Sequence, residues 1–190
     1  MPDKKRLVVG VSGASGSILG QCVLKVLKNF PDWESHLVIT RGAALTIEAE
    51  LGIGVGEIEA LADIIHPIDD LSASISSGSF RTEGMIVAPC SMKTAAGIAT
   101  GFSDNLLLRA ADVTLKERRR LVLLPREAPL SSIHLRNLLL LSDMGAVIMP
   151  PVPAFYQKPT GLDDIARNIV GRALSFFGLD DTALYKPWEG

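Results

Sequence analysis

Residues 7–16, Leu7-Val8-Val9-Gly10-Val11-Ser12-Gly13-Ala14-Ser15-Gly16, carry an apolar run straight into a turn of glycines and serines. Further along, residues 85–94, Met85-Ile86-Val87-Ala88-Pro89-Cys90-Ser91-Met92-Lys93-Thr94, follow the same plan. A short apolar run that closes in small hydroxylated residues and then takes up helical periodicity reads as buried strand, tight turn and helix. In an open α/β sheet the carboxyl ends of the strands form the ligand crevice. A helix N-terminus placed there offers unpaired N–H groups and a positive dipole end to a phosphate. Two such turns in one chain suggest a phosphorylated ligand held from both sides.

Outward from these stretches, strands and helices alternate. Strands are expected at 6–11, 36–40, 64–68, 85–88, 121–124 and 147–149. Helices are expected at 18–29, from 41 to about 51, 93–100, 103–116, 131–144 and 162–177, with a short helical turn at 57–62. Ser103 or Asp104 would cap the helix at 103–116, Ser131 the next one, and Gly145 and Gly178 would stop the last two. The Ser- and Gly-rich stretch 72–84 reads as a long surface loop, most flexible at 76–79. The alternation predicts a doubly wound, mostly parallel sheet in a three-layer α/β/α, Rossmann-like single domain covering 1–190. The tail 179–190 lacks periodicity but carries Tyr185 and Trp188, which suggests docking on a neighbouring subunit.

Of the 190 residues, 47% are hydrophobic and 21% charged, enough apolar matter for a sizeable core. A net charge of −2 gives no general attraction to nucleic acid or membrane, and 5% aromatics are too few for a base-stacking surface. The basic run Arg118-Arg119-Arg120 is read as a solvated helix end. No stretch approaches a membrane span or a secretory signal, and two cysteines form no framework, so a cytoplasmic, reduced protein is expected. Cys22 reads as packing. Cys90 sits in the second turn, where a nucleophile is conceivable, but no histidine is an obvious partner.

The first turn is not the dinucleotide fingerprint, because its glycines fall at 10, 13, 16 and 20 and Thr40-Arg41, not an acid, closes the second strand. Nor is it a Walker loop. A mononucleotide such as FMN fits better, its phosphate taking the Ser15 and Thr40 hydroxyls and the helix N-terminus. Ordinary tight strand–helix packing remains the alternative. Arg126-Glu127 follows a strand's carboxyl end and is either a structural ion pair or part of a site. Tyr156 lies in a loop after three prolines. Arg172, taken alone, reads as a surface residue.

Together with Ile75 to Phe80, Ser103 to Leu106, Arg109 to Val113, Leu115 to Glu117, Pro125 to Leu130 and Pro153 to Tyr156, these segments resemble the UbiX/Pad family of flavin prenyltransferases over nearly the whole chain. The Ser-Gly-Ser-Phe-Arg-Thr and Pro-Cys-Ser-Met-Lys-Thr stretches look most like its branch named after phenolic acid or hydroxyaryl decarboxylases. The resemblance implies a flavoprotein form of the doubly wound fold, assembled as a homododecamer. It implies transfer of a dimethylallyl group from dimethylallyl monophosphate to N5 and C6 of reduced FMN, without a metal, for a UbiD-type decarboxylase. It implies Gly13, Ala14, Ser15 and Thr40 at the FMN phosphate, and Ser91, Met92, Lys93, Thr94 and Arg126 on the rest of the cofactor. Lys116, Tyr156 and Arg172 would bind the donor phosphate, and Ser15 and Glu127 would relay protons, with Lys116 and Arg126 stabilising the leaving group. The stretch 48–70 matches poorly and implies nothing catalytic. Two other functions are a non-catalytic FMN-binding accessory subunit and a flavin-dependent cysteine decarboxylase. The second is disfavoured by Lys93, which stands where those relatives carry Asn.

Overall fold

The computed structural model describes residues 4–180 together with Leu184 and Tyr185. Among them, six strands form one parallel sheet in the order β3-β2-β1-β4-β5-β6. The strands are β1 (Lys5–Val11), β2 (Trp33–Ile39), β3 (Ile64–Ile65), β4 (Gly84–Cys90), β5 (Arg120–Pro125) and β6 (Val147–Ile148). The helices are α1 (Ser17–Leu27), α2 (Arg41–Leu51), α3 (Val55–Glu59), α4 (Met92–Ala99), α5 (Leu106–Lys116), α6 (Ser132–Asp143) and α7 (Leu162–Ser175). From β1 the chain winds one way to β3, then returns and winds the other way from β4. The strand order therefore reverses between β1 and β4, where Gly10 lies opposite Val87. Such a reversal opens a crevice at the carboxyl ends of the two strands. The two stretches that decide the fold from sequence are thus neighbours in space.

Alternation along the strands sorts the core into two faces. Leu7, Val9, Val11, Leu37, Ile86 and Val122 point to the side covered by α1, α2, α3 and α7. Val8, Val38, Met85, Val87, Leu121 and Leu123 point to the side covered by α4, α5 and α6. One buried hydroxyl ties the two decisive loops together. Ser12 Oγ donates to the Pro89 carbonyl at 2.9 Å and accepts the Ser91 N–H at 2.7 Å. Serine at this position therefore fixes one loop against the other.

Four expectations need correction. β2 starts at Trp33, earlier than the pattern from residue 36 implies, because the Trp33 side chain is buried in the core and carries the strand back to the turn. The cap of α5 is Asn105, whose side chain accepts the Leu108 N–H at 3.0 Å, in place of Ser103 or Asp104. The loop expected to be most flexible is tied down. Arg109 donates to the Ser76 carbonyl, and Arg119 to the carbonyls of Gly78 and Phe80. Arg119 is accordingly a loop clamp and not a solvated helix-end cation. Leu184 and Tyr185 rest on their own chain, against Gly171 and Arg172 of α7, whereas Trp188 lies outside the described residues.

Candidate functional site

Helix starts gather at the crevice. The first N–H groups of an α-helix have no partner within it. At α2, Thr40 Oγ accepts the Ala43 N–H and the Thr40 carbonyl that of Ala44, which leaves Arg41 and Gly42 to donate outward. At α4, Ser91 Oγ accepts the Thr94 N–H and its carbonyl that of Ala95, which leaves Met92 and Lys93. These two starts and that of α5 surround a cavity of about 380 Å³, lined among others by Gly13, Thr40, Gly42, Ser91, Lys93 and Thr94. Its wall needs a glycine, because a Cβ on Gly13 would stand 2.9 Å from the Gly42 carbonyl carbon. Ala14 and Met92, each next in sequence to a lining residue, are buried. Converging N–H groups, hydroxyls and positive helix ends around a small cavity are a donor set suited to a phosphate-bearing ligand.

A second groove of about 160 Å³ opens on the other side of the same loop, lined by Ser15, Gly16, Arg126, Pro151 and Leu162. Arg126 and Glu127 are both exposed and do not pair with each other, which answers the open reading of that pair against a structural ion bridge. Tyr156 sits in a turn of 3-10 helix between Pro151 and Leu162, both of which line this groove.

A model of the flavoprotein family matches residues 1–173. A probable UbiX-like flavin prenyltransferase of Sedimentibacter hydroxybenzoicus is 52% identical over 185 residues, 97% of each chain. The chain belongs to the flavoprotein family, among its UbiX-like flavin prenyltransferases. The crystal structure of AnUbiX (PadA1) in complex with FMN and dimethylallyl pyrophosphate is similar to it, with a TM-score of 0.95 and 51% identity over 98% of each chain. A dodecameric FMN-dependent UbiX-like decarboxylase of Escherichia coli O157:H7 gives 0.94 and 52%, over 97% of this chain and 100% of that one.

For a UbiX-like chain, the placement of two expected donor-site residues is informative. Lys116 ends α5, ahead of the amino end of β5, and pairs there with Glu117. Arg126 follows the carboxyl end of β5, and a six-residue strand between them spans about 20 Å. Arg172 lies ten residues along α7 from Leu162, about 15 Å away, with its guanidinium 4.7 Å from the Phe176 ring. One protomer therefore gathers Gly13, Ser15, Thr40, Ser91, Lys93, Thr94 and Arg126 at the carboxyl edge of the sheet. It does not bring Lys116 or Arg172 to them.

Glu50 is the residue that the sequence reading missed. Its carboxylate accepts the N–H groups of Gly16 at 2.9 Å and Ser17 at 2.8 Å, and the Ser15 hydroxyl. Partial desolvation pushes its carboxyl up, but these donors together outweigh that and hold it below the ordinary value. A signal was present in the sequence, because Ala43, Ile47 and Glu50 share one helical face, of which the first two are buried. Cys90 is fully buried and burial pushes its thiol up to about 12, so it is no nucleophile at neutral pH. Burial likewise raises Cys22, to about 11. No described helix is long and apolar enough to cross a membrane.

Proposed function

We propose that this chain joins a dimethylallyl group from dimethylallyl monophosphate to N5 and C6 of reduced FMN, making prenylated FMN for a UbiD-type decarboxylase in the cytoplasm. The observation that carries the reading is the cradle of outward N–H groups and hydroxyls at the β1–β4 reversal, in a chain half identical to flavin prenyltransferases. The donor set fits FMN: Gly13, Ala14 and Thr40 hold its phosphate, Ser91, Met92, Lys93, Thr94 and Arg126 hold the rest, and Ser15, its hydroxyl on Glu50, faces the groove. When bound, reduced FMN supplies the ring atoms that accept the prenyl group.

The chain's own residues handle charge and protons. Arg126 lies on the groove and stabilises negative charge that grows as a phosphate departs. The Ser15 hydroxyl, held by Glu50, passes a proton between that carboxylate and the groove. Glu127 is exposed, accepts its neighbour's N–H at 3.0 Å, and acts as acid or base, directly or through released phosphate. Lys116, Tyr156 and Arg172 bind the donor phosphate. Because Lys116 and Arg172 lie remote from the groove of their own chain, they serve a site formed with neighbouring copies, in a homododecamer such as the E. coli relative forms.

Anaerobic incubation of the purified protein with FMN, dithionite and dimethylallyl monophosphate tests this, read by mass spectrometry of the extracted flavin. A gain of one five-carbon prenyl unit is expected. Tightly bound but unmodified FMN would overturn transfer in favour of an accessory FMN carrier.

A further inference from the structure

Behind the wall of the larger cavity two imidazoles face each other. His36 Nδ1 lies 2.9 Å from His66 Nε2, with the rings stacked at 5.2 Å. His36 Nε2 lies 2.9 Å from Glu34 Oε1, which also accepts from Arg6 Nε at 3.3 Å. The carboxylate fixes the hydrogen of His36 on Nε2, so its Nδ1 is bare and His66 Nε2–H is the donor between the rings. Phe80 closes the cluster edge-on at 5.3 Å from His36. The charged groups facing the pair are Arg6 from β1, Glu34 from β2, Asp63 before β3 and Asp70 beyond it.

His66 opens a strap across the cavity. Its own N–H donates to Leu37, and the Ile68 carbonyl accepts the Leu106 N–H at 2.8 Å, at the start of α5. Asp69 pairs with Arg41 at 2.7 Å, at the start of α2. Ile68 and Asp69 both line the cavity. The strap thus joins two of the helix starts that form the cradle, and the imidazole pair anchors its root.

We propose that the His36–His66 contact positions this strap for cofactor binding and lets it go in acid, an inference that rests on the FMN reading above. One added proton can be shared by moving the hydrogen between the rings. A second sets N–H against N–H at 2.9 Å and breaks the contact. Burial, the largest influence on both rings, lowers their proton affinity below the ordinary imidazole value. The anchor is therefore intact at and above the ordinary imidazole value of about 6.5 and is lost in acid, as pH falls through the pair's lowered values.

The test compares the wild-type protein with His66→Gln, whose amide can donate at the same place without titrating, and with His66→Ala. FMN dissociation constants from flavin fluorescence at pH 8 and pH 5 form the first arm. At pH 8 the Gln variant matches wild type, and the Ala variant binds about tenfold more weakly. At pH 5 wild type falls to the level of the Ala variant, while the Gln variant loses only what titration of the FMN phosphate itself removes. Equal pH losses in wild type and Gln, or Ala binding as wild type does at pH 8, would overturn the proposal. The second arm needs no flavin. Hydrogen–deuterium exchange of the peptide covering 64–72, compared at the same pH, should be about tenfold faster in wild type than in the Gln variant at pH 5 and equal at pH 8. Equal exchange at both pH values sinks the anchor even if no protein binds flavin, whereas absent flavin binding with the expected exchange sinks only the FMN reading.

Discussion

The two edges of this sheet are built from different materials. At the carboxyl edge the chain places glycines, serines and helix starts, and leaves N–H groups facing outward. At the amino edge it places arginines and phenylalanines: Arg118, Arg119, Arg120, Phe176 and Phe177 line a depression of about 440 Å³, and Arg119 pins the loop at 78–80. Yet the larger amino-edge depression lacks the helix starts and outward backbone N–H groups that the carboxyl edge gathers. Cavity size is a poor guide to chemistry, and the supply of unsatisfied donors is a good one.

The comparison can be broken most violently at the amino edge. Gly84 opens β4 at φ 148°, and a Cβ there would lie 2.1 Å from the Arg120 carbonyl oxygen. Gly84→Ala should cost about 3–5 kcal/mol and lower Tm by about 10 °C, measured by calorimetry. Gly13→Ala at the other edge should leave Tm within a few degrees while FMN binding weakens about a hundredfold, or about 3 kcal/mol, in a fluorescence titration. If it unfolds the protein, the carboxyl edge is structural as well as functional.

The next test sharpens the division of labour. Lys116→Ala and Arg126→Ala should each be nearly inactive as pure oligomers. Co-assembled, they should recover a fraction of turnover, because some sites then receive an intact lysine from one copy and an intact arginine from another. Recovery no greater than the sum of the pure variants would place both residues in one chain's site. The smallest effect concerns Glu50. Its carboxyl is depressed in the fold, so its contribution to stability is present above the ordinary carboxylate value of about 4.3 and is lost as pH falls through the lower one. Glu50→Gln should lower Tm at pH 7 by roughly a degree or two and converge on wild type as pH falls toward 3, which flattens the acid limb of the Tm–pH curve.

Much of the carboxyl edge was legible in the sequence, because its chemistry is local. A strand that ends in Gly-Ala-Ser-Gly, or a helix that starts behind Thr40 or Ser91, announces itself within ten residues. What escaped reading depends on distant partners. Glu50 sits a full helix away from the loop it serves, and Arg119 looked like one more cation in a charged run until its carbonyl acceptors appeared. The remoteness of Lys116 and Arg172 from Arg126 was hidden for a related reason: residue types suggest a shared ligand, but only topology says which edge each occupies. Histidines 36 and 66 belong here too, since thirty positions separate rings that touch.

The separation of Lys116 from Arg126 along one strand has a genetic consequence. If each copy lends one edge to its own site and the other to a neighbour's, a defective chain damages sites it does not own. A cell expressing an intact chain beside one defective at both edges would then lose activity out of proportion to the share of bad copies, whereas two different single-edge defects could partly hide each other. Inheritance at this locus would follow the assembly and not the polypeptide.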